Sequence, residues 1–285
     1  MQMANDTANE ILAAWETSSH YWSKHQLLIE KMYASLSRAL IEDAQIGLAQ
    51  AVLDVGGGSG EPSLTIAPIV GNLGQVTYTD PSAGMVKAAH DEAERRGIRN
   101  IQFHQCPAQQ LPFEKNSFDA SISRLSVMFF PDVVAGLREM LRVTKPDGRL
   151  SFVVWASRDL NPFFTVVAEV LNKFVTADVE DEDAPGAFRF AAPGKLARLL
   201  QEAGAVAVTE RALGFGIKAP ITAASFWELR SEMSDTFRNK LKNLSTEQVA
   251  AAKAAVEEAV SPYFGNGEMD FPGDVLVITG LKPEA

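Results

Sequence analysis

Residues 52–61 read VLDVGGGSGE: an apolar run closed by an aspartate, then glycines at 56, 57, 58 and 60, then Glu61 and Pro62. The apolar run is short enough to be a buried strand. Proline at 62 suits the first turn of a following helix. Glycine is needed where a backbone takes positive φ or where a ligand comes close to the chain. The amides that open the helix then offer an anion site. The stretch therefore predicts a strand, a ligand-holding turn and a helix, which is the opening unit of an α/β sheet.

Outward from this unit the same alternation continues. Strands are predicted at 51–55, 75–79, 100–105, 118–123 and 150–156, with helices at 62–70, 84–96 (Ser82 as cap, Gly97 as stop) and 133–143. Lys145-Pro146-Asp147-Gly148 reads as a turn before the fifth strand. Short connections between alternating strands and helices imply a parallel sheet covered on both faces. Upstream, residues 11–48 have apolar and aromatic residues at helical spacing. Downstream, a helix is predicted at 193–204, a sixth strand at 205–211, a capping box at Ser245-Thr246-Glu247-Gln248 and a last strand at 274–280. The expected sheet has seven strands, the first five parallel and the last antiparallel. Residues 160–192 and 212–271 are expected to form a mostly helical cover. The expected organisation is an N-terminal helical cap at 1–44, a core at 45–158, and a cover with the final strands at 159–285.

Composition limits the function. The 285 residues are 46% hydrophobic and 22% charged, which is ordinary for a globular protein. Lys and Arg number 26 against 36 Asp and Glu, so the net charge of −10 offers no general basic surface to a nucleic acid or an anionic bilayer. One cysteine, Cys106, rules out an internal disulfide and a multi-cysteine zinc site. No metal site is expected from His20, His25, His90 and His104. The residues Met1 to Glu10 lack the basic and apolar regions of a signal peptide, and no run is long enough to span a membrane. The expected location is the cytoplasm. Residues 178–183 form an acidic run that reads as a solvated loop.

Three phosphate or nucleophile motifs fail on the glycine stretch. Glu61 stands where a dinucleotide fingerprint has its third glycine, no Gly-Lys-Ser/Thr is present, and Ser59 is one position out of register for a nucleophile elbow. Asp80, at the end of the second strand in VTYTDPSAGMV, can accept both hydroxyls of a ribose. NAD, adenosine and S-adenosylmethionine all meet that requirement.

With five motifs in register, residues 45–158 resemble the class I S-adenosylmethionine-dependent methyltransferases of the type 11 group, which includes ubiquinone and menaquinone biosynthesis C-methyltransferases. The motifs are VLDVGGGSG (52–60), TDPSAGM (79–85), AQQLPFEKNSFD (108–119), SRLSVMFFPD (123–132) and LREMLRVTKPDGRL (137–150). The resemblance implies a Rossmann-like fold and the cofactor S-adenosyl-L-methionine. It assigns Asp54, Gly56, Gly57, Gly58 and Gly60 to the methionine part and Asp80 to the ribose. Pro81 and Met85 would pack on adenine, Ala108 and Gln109 would line its edge, and Ser123 would face the amino end. Pro107 departs from the family, which often has an aspartate there for the adenine amino group.

Catalytic residues are not read from the sequence, because methyl transfer asks mainly for orientation and exclusion of water. His20 and His25, beside Tyr21 and Trp22, are candidate bases near a cofactor cover. Asn161-Pro162-Phe163-Phe164 resembles the motif of base-modifying methyltransferases but follows the fifth strand, not the fourth. The expected acceptor is a small, largely apolar or aromatic molecule, not a nucleic acid. Phe163, Phe164, Phe188, Phe190, Phe226 and Trp227 are candidates for its pocket, since residues 160–271 hold 12 of the 24 aromatic residues. Two other classes share the loop and Asp80: an NAD-dependent oxidoreductase and a catalytically silent S-adenosylmethionine-binding module.

Overall fold

A computed structural model describes residues 2–175, 181–265 and 267–284. Three helices come first: α1 (Gln2–Lys24), α2 (Gln26–Met32) and α3 (Ala34–Asp43). The alternating region follows as β1 (Ala51–Val55), α4 (Ser63–Val70), β2 (Gln75–Asp80), α5 (Ala83–Arg96), β3 (Ile101–Gln105), β4 (Phe118–Arg124), α6 (Val133–Val143) and β5 (Thr144–Trp155). The remainder comprises α7 (Pro162–Leu171), α8 (Lys195–Ala203), β6 (Val206–Ala219), α9 (Ala223–Met233), α10 (Asp235–Lys242), α11 (Thr246–Val260) and β7 (Met269–Leu281).

One sheet holds all seven strands in the order β3-β2-β1-β4-β5-β7-β6. Strands β1 to β5 are parallel, and β7 runs antiparallel to both β5 and β6. Helices flank it, with α4 and α5 against β2 and β3, α6 against β4 and β5, and α8 against β6 and β7. The central strands are buried almost end to end, as strands covered on both faces must be. Local signals set the helix ends. The Ser82 hydroxyl accepts from the Met85 amide, Gly97 takes the left-handed conformation that closes α5, and Ser245 with Gln248 makes the reciprocal capping box of α11.

Three expectations need correction. The turn predicted at 145–148 lies inside β5: its register to β4 jumps from Phe118↔Thr144 to Ala120↔Arg149, and Asp147 takes a φ of 60°. The Pro-Asp-Gly signal marks an irregularity in a strand, not its start. Residues 212–219 and 269–271, expected in a helical cover, instead lengthen β6 and β7, which pair continuously from Thr209↔Thr279 to Ala219↔Met269. Between 160 and 192 only α7 is a regular α-helix among the described residues. Of the acidic run, residues 178–180 lie outside the described residues.

The N-terminal helix ties the sheet layer to the later helices. Glu16 accepts from the Ala83 amide at 2.6 Å and the Gly84 amide at 3.1 Å, so a carboxylate of α1 satisfies the free first-turn donors of α5. At its other end Lys24 donates to Glu228 and Glu232 of α9, and Arg238 of α10 donates to Ser18.

Candidate cofactor site

The strand order reverses between β1 and β4. Connections leave these neighbours toward opposite sides, and α/β sheets bind ligands in the resulting crevice at their carboxyl ends. Asp54 is paired with Ile122, so the loop after β1 and the segment after β4 emerge side by side. A Cβ placed on Gly56, whose φ is 71°, would lie 1.9 Å from the Ser126 hydroxyl. A Cβ on Gly57 would meet the Tyr78 ring at 2.5 Å and Oδ2 of Asp54 at 2.9 Å. At Gly60, φ 117°, it would strike Leu64 at 2.7 Å. Gly58, φ 55°, has nothing within 4 Å of that position, so this part of the loop faces open space.

The loop is held from several sides. Gly56 and Gly57 donate to the Thr79 carbonyl, Tyr78 donates to the Gly58 carbonyl at 2.5 Å, and Gln26 of α2 donates to the Ser59 carbonyl. Asp80 closes the arrangement: Oδ2 accepts from the Gly58 amide at 3.1 Å and Oδ1 from the Ser82 amide at 2.9 Å. Asp54, fully buried at the end of β1, accepts from the Ser63 hydroxyl at 2.7 Å through Oδ2. Its Oδ1 has no partner among the described residues, and neither has the hydroxyl of Ser123, also fully buried.

Buried acidic groups define the electrostatics. Burial pushes Asp54 up to about 6, opposed by the Ser63 hydroxyl and the Arg124 charge. Asp80 is pushed up to about 7 by burial, against its two backbone hydrogen bonds. Glu61 is raised as well, mainly by burial, while it accepts from Thr65 and Arg96. A bound cation restores the charged form of such carboxylates.

The remaining sequence candidates are placed as follows. Met85 is buried in the first turn of α5, and Pro81 sits between it and Asp80, its carbonyl accepting from Gln105. Ala108 is buried; the Gln109 amide points to the Asp132 carbonyl at 3.1 Å, so its side chain is already engaged. His25 meets Glu232 at 2.5 Å through Nε2, which ties α1–α2 to α9. His104 packs edge-on against Phe113. Asn161 is fully committed to backbone: its nitrogen donates to the Ser157 and Asp274 carbonyls, and its oxygen accepts from the Asp274 amide. It fastens the end of β5 to β7. Ser126 and Arg124 were not singled out by the sequence. Arg124 donates to Ser37 at 2.7 Å, and only its neighbourhood to Asp54 and Glu61 reveals it as the site's internal counter-charge.

Comparison with known proteins gives the site its family. Residues 53–152 match the family described as a methyltransferase domain. Over 170 residues the chain is 32% identical to the ubiquinone/menaquinone biosynthesis C-methyltransferase of Cellvibrio japonicus, an alignment covering 55% of this chain and 68% of that protein. The chain belongs to the S-adenosylmethionine-dependent methyltransferases. An uncharacterized Mycobacterium tuberculosis protein is 33% identical over 147 residues, and the chain spans about half (52%) of its length. Among solved structures, the YcgJ protein of Bacillus subtilis superposes with a TM-score of 0.57 at 22% identity, covering 87% of this methyltransferase and 98% of that chain, a likeness of fold.

The residues present fit the cofactor of this family. The turn leaves open space at Gly58 that a side chain would enter, beside Asp80, and Asp54 and Ser123 at the ends of β1 and β4 each keep an unpartnered buried oxygen. Among the described residues, no helix is long and apolar enough to cross a membrane.

Proposed function

We propose that this methyltransferase acts on a small, largely apolar or aromatic acceptor, with quinone-type ring C-methylation as the reaction that its named relative suggests. The observation that carries the reading is an aromatic layer at the carboxyl end of β5. Trp155 meets Tyr33 at 5.8 Å, Phe164 at 4.8 Å and Phe215 at 6.0 Å. Phe164 in turn meets Phe188 at 5.4 Å. Phe164, Phe188 and Phe215 are partly exposed, so the layer reaches the surface at the carboxyl end of β5. Rigid rings supply apolar area at low entropic cost.

When bound, S-adenosyl-L-methionine supplies a methyl group on a positively charged sulfur. In our reading Asp54 and the Gly56–Gly60 loop hold its methionine part, and Asp80 accepts from the ribose hydroxyls. Pro81, Met85, Ala108 and Gln109 surround adenine, and Ser123 faces the amino end. The buried carboxylates favour the cation, the glycine turn lets backbone approach it, and the two unpartnered oxygens await donors. Residues 1–44 close over the cofactor, and 159–285 shape the acceptor side. The chain's own contribution is to align two reactants and keep water away, which can supply much of the acceleration of a displacement. The acidic net charge and the backbone-bound Asn161 speak against a nucleic-acid acceptor.

Incubation with methyl-tritiated S-adenosylmethionine and a panel of quinols and substituted phenols tests the proposal. Label extracted with an organic acceptor and suppressed by S-adenosylhomocysteine supports it. Label transferred to tRNA or DNA, with none reaching the aromatic panel, refutes it.

A further inference from the structure

Arg230, on α9, is 8% exposed, and its Nε has no hydrogen-bond partner among the described residues. No carboxylate among the described residues pairs with it. The other inward-placed arginines differ. Arg96 meets Glu30, Glu61 and Glu92, Arg238 meets Asp235, and Arg124 donates to Ser37 and is acted on by the charges of Glu61 and Asp54. The Arg230 guanidinium instead lies 4.5 Å from the ring centre of Phe163 and 5.0 Å from that of Phe164. Ring faces attract a cation but accept few of its five directional N–H bonds.

A buried, unpaired charge is a cost that an apolar residue of the same size would avoid. Its position suggests what it is kept for. Phe164 touches Trp155, Trp155 touches Tyr33, and the Arg124 guanidinium lies 5.9 Å from the Tyr33 ring centre. Trp155 is two residues beyond Val153, which pairs with Arg124 at the end of β4. The guanidinium thus borders the aromatic layer on the acceptor side of the crevice. A planar group with only donors is suited to an anionic oxygen, and the aromatic walls are suited to a ring bearing it.

We propose that Arg230 binds an anionic oxygen, carboxylate or phenolate, on an aromatic acceptor lying against Trp155 and Phe164; this rests on the aromatic-acceptor reading above. The protein then selects ionised aromatic acceptors over neutral analogues of equal size. For a phenolate, the same contact holds the ionised oxygen while the ring takes the methyl group: the new carbon–carbon bond forms, the sulfur–methyl bond breaks, and the ring proton leaves to solvent.

Calorimetry on the full chain saturated with S-adenosylhomocysteine tests this with two matched pairs of probes. The pairs are 2-naphthoate against 2-naphthamide, and 4-nitrophenolate against nitrobenzene above the phenol's pKa. At least one anion is expected to bind about tenfold or more tighter than its neutral partner, and the pair that shows it distinguishes carboxylate from phenolate. Arg230→Gln is expected to erase that preference while leaving S-adenosylhomocysteine affinity unchanged. Equal binding within both pairs, measured on the unaltered protein, overturns the proposal, and so does a preference that survives in Arg230→Gln. If no probe of either charge binds while S-adenosylhomocysteine does, the aromatic-acceptor reading falls and takes this inference with it.

Discussion

The Gly58 amide donates to Oδ2 of Asp80 across 3.1 Å, which joins the loop after β1 to the carboxylate at the end of β2. The other carboxylate oxygen accepts from Ser82, so Asp80 sets both the loop and the start of α5. Each oxygen still has a free lone pair. The residue proposed to bind ribose therefore also shapes the turn beside it, and loop geometry and cofactor affinity should change together when it is altered.

The glycines of the turn should respond unequally to alanine. Gly58→Ala meets open space and has only its left-handed φ to contend with, a cost of about 1–2 kcal/mol. Gly56→Ala adds a clash with Ser126 and should cost about 2–5 kcal/mol in urea unfolding. Adding Ser126→Gly to Gly56→Ala should recover the clash but not the φ strain. Equal destabilisation by the two single variants would contradict the packing described at Gly56.

Much of this site was legible because its signals are local. Four glycines after an apolar run can hardly do anything but turn, and α6 occupies the same residues, 133–143, that its periodicity predicts. Ser82 and Gly97 bound α5 for stereochemical reasons that need no tertiary context. What was not legible depends on contacts between distant segments. Thr144 to Gly148 joins β5 because Phe118 on one side and Lys282, just past β7, on the other hold it there, overriding a turn-like composition. β6 extends to Ala219 by pairing with β7, although many of its residues are exposed and its alternation is weak. Arg230 is one charge on a helix in sequence; only the rings around it show that its charge is uncompensated.

The raised carboxylates set opposing pH trends. Asp54 at about 6 and Asp80 at about 7 lie above their unfolded values near 3.8 because burial disfavours the charge. Between about pH 4 and 7 the folded state therefore holds more protons, and these two groups lose stability as pH rises through that window. Ligand binding to the charged forms runs the other way. The melting-temperature increment given by S-adenosylmethionine should be larger at pH 8 than at pH 5.5, and Asp80→Asn should flatten the pH dependence of the ligand-free protein. An increment that grows on acidification would contradict the assignment.

Trp227, a candidate for the acceptor pocket, is 9% exposed and packs edge-on against Phe237 at 5.0 Å, joining α9 to α10. Trp227→Ala should cost about 3–5 kcal/mol of stability through the space it leaves. Below the lowered melting transition, S-adenosylhomocysteine affinity should match that of the unaltered protein. A loss of cofactor affinity without loss of stability would move Trp227 into the site.

Calorimetric titration with S-adenosylhomocysteine, comparing the unaltered chain with Asp80→Ala, tests the central claim most directly. The unaltered protein should bind S-adenosylhomocysteine and not NADH. Asp80→Ala, checked for an intact fold by circular dichroism, should weaken that binding by about 1.5–3 kcal/mol, roughly 10- to 150-fold in Kd, the scale of hydrogen bonds to a charged group. An unchanged Kd in the folded variant, or NADH bound in place of S-adenosylhomocysteine, would contradict the account.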